Sequence, residues 1–101
     1  MTYRLELSAR AEADLAAACG WYADIRPDLE AAFLRCVQRA LDRIAENPNA
    51  FRSLTPAIRY ARMRRFPYGI LYRVQESRIQ VEGLFHTRRN PRLLRVRAGQ
   101  R

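Results

Sequence analysis

The chain opens on a strict alternation. In TYRLELS, Tyr3, Leu5 and Leu7 fall on one side and Arg4 and Glu6 on the other, the pattern of a half-buried strand. Ser8 follows where a helix N-cap belongs. The period then lengthens. Ala11, Leu15, Ala18, Tyr22 and Ile25 recur at spacings of four and three, which predicts one apolar face of a helix from Ser8 to about Ile25. Pro27 breaks the chain and suits the first position of a second helix, with Asp28 and Glu30 in its opening turn. Leu29, Phe33, Val37, Ala40 and Ile44 make the second stripe, and the helix stops near Glu46 at NPNAF. The short link between them predicts a helical hairpin.

Beyond Phe51 the texture becomes that of strands. IRYARMRR (58–65), GILYRVQ (69–75) and RIQVEGLFH (78–86) are three candidates. Pro67 and Gly69 mark the first turn between them. Glu76 and Ser77 mark the second, a tight hairpin without the favoured Asn-Gly pair. The resulting order, β-α-α-β-β-β, predicts an α+β fold in which the helical hairpin packs on one face of a small, mainly antiparallel twisted sheet. The first strand is expected to join that sheet. Residues 1–101 read as one domain, with a short basic tail over 92–101.

Period two also sorts the strand residues by face. Ala61 and Met63, then Ile70, Tyr72 and Val74, then Ile79, Val81 and Phe85 form the sets expected under the helices. The open face should then gather Arg62, Arg64, Leu71, Arg73, Leu84 and His86, with Arg88 or Arg89 at its rim.

Charge sharpens this picture. All 19 basic residues are arginine, and the formal net charge is +9. It is unevenly spread: residues 1–50 carry a net charge of −2 and residues 51–101 a net charge of +11. Clustered guanidinium groups repel one another and are best tolerated where an anion sits among them, so a nucleic acid or an acidic peptide is the expected partner. A solvated basic surface with no partner is the bland alternative. Cys19 and Cys36 lie within the helical patterns, without CxxC or zinc-ligand spacing, and read as small hydrophobes in a reducing cytoplasm. Acidic residues interrupt any signal-peptide core, and no apolar run is long enough to span a membrane. No metal constellation and no glycine-rich phosphate loop occurs, so no cofactor is expected. His86 is the single histidine, and proton transfer, if any, falls to it or to Tyr60, Tyr68 or Tyr72.

Four stretches carry a resemblance in their order: SARAEADLAAACGWYAD, FLRCVQRALDRIAENPNAF, RRFPYGILYRV and VEGLFHTRRNP. The chain resembles the RelE/ParE superfamily of bacterial toxins from type II toxin–antitoxin systems, over nearly its whole length. The resemblance implies the fold derived above and an acidic cognate antitoxin in a hetero-oligomer. It also implies one of two activities. RelE-like members are ribosome-dependent endoribonucleases that cut mRNA. They place an arginine after the first tyrosine of the central strand, where this chain has Gly69 after Tyr68, and they often carry a tyrosine in the C-terminal segment, where none follows Tyr72. In that branch Arg62, Arg64, Arg73, His86 and Arg89 are the candidate catalytic set. ParE-like members lack the set and poison DNA gyrase. The WY on the first helix and the HTRRNP ending favour the ParE-like branch, with Arg62, Arg64, Leu71, Arg73, Leu84, His86, Arg88 and Arg89 as the face for target or antitoxin. A non-toxic basic module that binds nucleic acid is the third reading.

Overall fold

The computed structural model describes residues 3–88. Strand β1 (Arg4–Leu7) leads into helices α1 (Ala9–Ile25) and α2 (Pro27–Glu46). A single 3-10 turn (Pro48–Ala50) follows, and then β2 (Arg52–Ser53), β3 (Arg59–Arg62), β4 (Tyr68–Gln75) and β5 (Arg78–His86). The five strands make one sheet in the order β1-β5-β4-β3-β2. β1 runs parallel to β5 and all other neighbours are antiparallel. The expected α+β architecture is therefore present, with one addition. The two-residue β2 pairs with β3 at the far edge, too short to leave a period of its own in the sequence.

Local chemistry explains the helix boundaries. Ser8 is in extended backbone, and its hydroxyl accepts from Ala11 N at 3.1 Å, satisfying one of the unpaired donors at the start of α1. Arg26 alone separates the helices. It adopts φ −160°, which the pyrrolidine of Pro27 favours in the residue before it, and α2 restarts on that proline. The hairpin and sheet enclose an aromatic cluster: the Tyr22 and Phe33 rings lie 4.9 Å apart, and Phe33 meets Phe66 and Tyr68 at 5.2 Å each. Phe33, Ala40 and Ile44 of the second stripe are fully buried. Ile25, the last member of the first stripe, is instead 54% exposed at the hairpin tip.

One irregularity changes the face assignment. Along β4 and β5, Tyr72 pairs with Val81 but Leu71 pairs with Gly83, so Glu82 is an extra residue with no partner across the ladder. Such a bulge shifts the alternation by one, and every later side chain changes face. Strict alternation puts Phe85 under the helices and Leu84 and His86 outside. The structure reverses all three. Leu84, opposite Ile70, joins the core, and His86, opposite Tyr68, lies on the helix side with its ring 5.1 Å from that of Tyr68. Phe85 stacks instead on Tyr60 of the open face, ring centroids 6.0 Å apart.

The bulge also sits where β1 stops. Leu7 pairs with Val81, and beyond it β5 has no strand on its β1 side. Residues at the start of α1 take over. Ser8 N donates to Val81 O at 3.0 Å, the Ser8 hydroxyl donates to Glu82 O at 3.2 Å, and Asp14 Oδ2 accepts from Leu84 N at 3.1 Å.

Candidate functional site

β3 ends, β4 begins and β5 finishes at the same end of the sheet, beside the last turns of α2. The cleft formed there has a volume of about 610 Å³ and is lined by Arg43, Arg62, Met63, Arg64, Arg65, Phe66, Pro67 and Arg88. Five of these are arginines, from α2, the end of β3, the β3–β4 turn and the residues after β5, and among the described residues no carboxylate lines the cleft. Arg43, Arg64 and Arg65 also line a neighbouring hollow of about 430 Å³ with Cys36, Arg39 and Asp42.

The walls are held in place. Pro67 O accepts from both Thr87 N at 2.8 Å and Thr87 Oγ1 at 3.1 Å, which ties the segment bearing Arg88 to the β3–β4 turn. Arg88 N donates to His86 Nδ1 at 3.2 Å. Two guanidinium groups rest near aromatic rings, Arg65 at 5.6 Å from the Phe66 centroid and Arg43 at 5.8 Å from that of Phe51, close enough for cation–π attraction. Met63 and Phe66 themselves are buried, so the surface a ligand meets comes largely from the arginine side chains, their guanidinium heads together with their apolar stems. Among the described residues no cluster of histidine, cysteine, aspartate or glutamate could hold a metal ion.

The residues assigned to one open face therefore occupy separate places. Arg62, Arg64 and Arg88 come together in the cleft. Arg73 lies further along the open face, its Nε 3.0 Å from Glu82 Oε2. That is a charge contact without hydrogen-bond alignment, since the buried Nε–H finds no acceptor. Leu71 is on the open side yet only 1% exposed, and Leu84 is buried in the core, so neither offers the apolar surface expected of a receptor face. His86 sits across the sheet in a small hollow with Asp14, Trp21 and Tyr68. Arg89 and the 92–101 tail lie outside the described residues. Sequence reasoning missed Arg43 and Arg65. Arg35, Arg39 and Arg43 recur every four residues along α2, and that row was the available signal.

Gly69 stands on the open face beside the cleft, opposite Arg62 and Phe85. Its φ is not positive, so backbone freedom is not what keeps it glycine. Space is. The ring of Tyr60 lies across it, and a Cβ at position 69 would stand 2.0 Å from Tyr60 Cε1. The place from which a side chain would project is filled by tyrosine. Burial pushes the Tyr60 hydroxyl above its ordinary pKa, against the pull of Arg62 and Arg52.

A helical hairpin over a five-stranded mixed sheet with this connectivity is the fold of the RelE/ParE superfamily of toxins. A chromosomal ParDE toxin–antitoxin system from P. aeruginosa provides one solved example: it superposes with a TM-score of 0.73 at 22% identity, over 84% of this chain and 96% of that one. A chain of the RelBE2 toxin–antitoxin complex from Mycobacterium tuberculosis does so with a TM-score of 0.51 at 19% identity, over 85% and 99%. The family model for the ParE toxin of the type II toxin–antitoxin system parDE matches residues 5–91. Toxin ParE2 of Mycobacterium tuberculosis, in strains CDC 1551 / Oshkosh and ATCC 25618 / H37Rv, is 34% identical over 92 residues, spanning 90% of this chain and 88% of its own. The chain belongs to the ParE toxin family. It is a type II toxin of the ParDE/RelBE kind, which sets aside the non-toxic module.

Proposed function

We propose that this toxin arrests growth by binding DNA gyrase rather than by cutting mRNA, and that a cognate antitoxin neutralises it by direct contact. The observation that carries the reading is the Tyr60 ring over Gly69. The resemblance to the RelE-like branch implies an arginine at that position. Here an arginine would first have to expel Tyr60 from its stack on Phe85. The position of Arg73 along the open face, paired with Glu82 outside the arginine cleft, supports the same reading, because charge-stabilising groups must converge on one phosphate to cleave it. The solved relatives are parts of toxin–antitoxin systems, which supports an antitoxin as partner.

Expressing the chain alone in a bacterium tests this. The expected result is growth arrest with DNA-damage signalling, loss of supercoiling by purified gyrase on adding the protein, and uncut transcripts in primer extension. Cleavage of mRNA on translating ribosomes overturns it. The convergence of Arg62, Arg64 and Arg88 is what favours the endoribonuclease as the second reading, in which Arg64→Ala would abolish cleavage in a folded protein.

A further inference from the structure

We infer that the arginine cleft is a binding site for the phosphate backbone of duplex DNA, read without regard to base sequence. The inference stands apart from the choice of gyrase as target. Its first support is charge. Arg43, Arg62, Arg64, Arg65 and Arg88 converge on one cleft with no carboxylate among them, although acids are present elsewhere on the chain and pair there with arginine, as in Arg26–Asp28 and Arg78–Glu6. The cleft arginines have no such partner among those ion pairs. Guanidinium groups brought together this way attract a multiply charged anion and hold its oxygens by paired N–H donors.

The second support is extension. Arg35 and Arg39 continue from Arg43 back along α2, one every four residues, which is about 6 Å per step along a helix axis. The cleft is thus the end of a row of arginines, with Asp42 beside it in the adjoining hollow and accepting from Gln38 Nε2, and such a row fits a linear polyanion better than a small one.

The third support is what the cleft lacks as a surface. An acidic peptide held in a groove needs apolar anchors. Met63 and Phe66, the large apolar side chains of the lining, are 2% and 7% exposed and offer almost no contact area. Single strands are held largely by bases stacked on open aromatic rings. Phe66 is buried and has Arg65 over it, so among the described residues no such platform faces the cleft. A duplex backbone requires neither and is held by charge and hydrogen bonds to phosphate.

Fluorescence anisotropy with the purified full chain and a 20-base-pair DNA of arbitrary sequence tests the site across 50–200 mM salt. If all five arginines neutralise phosphates, log K falls against log salt with a slope of about −4.5, or about 500-fold over that range. The triple variant Arg62→Gln/Arg64→Gln/Arg65→Gln should lower the slope by about 2.7. The pair Arg39→Gln/Arg43→Gln, on the opposite wall, should lower it by about 1.8 and gives an independent reading should the triple variant lose its circular-dichroism spectrum. Arg4→Gln/Arg10→Gln/Arg78→Gln removes the same charge from the other side of the molecule and should leave the slope within one unit of the parent. An equal loss in that control means undirected attraction and overturns the inference. So does tighter binding of a decaglutamate peptide, which assigns the cleft to a carboxylate partner, or of a 20-nucleotide single-stranded RNA at equal salt.

Discussion

Adding a single methyl group at position 69 tests the reasoning that separates this chain from a cleaving enzyme. In Gly69→Ala the new Cβ would stand 2.0 Å from Tyr60 Cε1 and 2.7 Å from its Cζ and Oη. No heavy-atom contact of that kind survives, so the ring must leave. Tyr60 then gives up its stack on Phe85, worth about 0.5–1.5 kcal/mol beyond the area it covers. Phe85, now 3% exposed, is uncovered on its open side, which costs on the order of 1 kcal/mol more. Against this, replacing glycine at a permitted φ gains about 0.4–1 kcal/mol by narrowing the unfolded ensemble. The net is a loss of about 0.5–2 kcal/mol, or about 2–16 °C in Tm for a domain of this size. Urea unfolding followed by circular dichroism measures it. The decisive comparison is with Tyr60→Ala as background. There the collision is gone, and Gly69→Ala should be neutral or stabilising by up to about 1 kcal/mol. An equal penalty in both backgrounds refutes the claim that Tyr60 is what keeps position 69 a glycine.

Four further outcomes follow from the geometry. Tyr72→Phe removes the hydroxyl that donates to Pro48 O, leaves a buried carbonyl without a partner, and should cost about 1–3 kcal/mol in urea unfolding. Burial pushes the Tyr72 hydroxyl up to about 12, against the pull of Arg59, so the native state keeps a proton that the unfolded chain releases near pH 10. Stability should hold below pH 10 and fall as pH rises from about 10 to about 12, with a shallower fall in Tyr72→Phe than in the parent when Cm is followed across that range. Asp14→Ala should cost about 1–3 kcal/mol by orphaning Leu84 N, while Asp14→Asn, which keeps an acceptor oxygen, should recover most of it in thermal melts. Ser8→Ala loses both the cap to Ala11 N and the bond to Glu82 O, and should lower stability by about 1–2 kcal/mol, with earlier amide exchange in the first turn of α1.

The elements were legible because their causes are local. Alternation in TYRLELS, the four-and-three stripe through Ala11 and Ala18, and Pro27 after an extended Arg26 all act within a few residues, and the structure follows them closely. The two helical stripes likewise named the buried residues of both helices except Ala32. The site was less legible because its causes are not local. Nothing within RIQVEGLFH says that Glu82 will be left out of the ladder. That depends on where β1 ends and on how Ser8 and Asp14 bind the strand beyond it. From one unseen bulge came three misplaced side chains, Leu84, Phe85 and His86. Arg43 and Arg65 were passed over for the same kind of reason: they meet only when α2 lies beside the β3–β4 turn, though they are 22 residues apart in the chain. Gly69 was noticed for the arginine it lacks. Its reason, the ring of a tyrosine from the neighbouring strand, appears only in three dimensions.

The attachment of α1 to the far half of β5 has a bearing on life without a partner. A toxin acts only while its antitoxin is absent, and a chain in that state must not recruit its own kind through unpaired strand edges. β5 is the longest strand, and beyond Val81 it would present an unpaired row of amides and carbonyls to any passing chain. Ser8 and Asp14 occupy those groups as a strand would, using side chains instead of backbone. Among the described residues the edges that remain are the four residues of β1 and the two of β2, each carrying exposed arginine. Such short, charged edges are poor templates for strand-by-strand polymerisation.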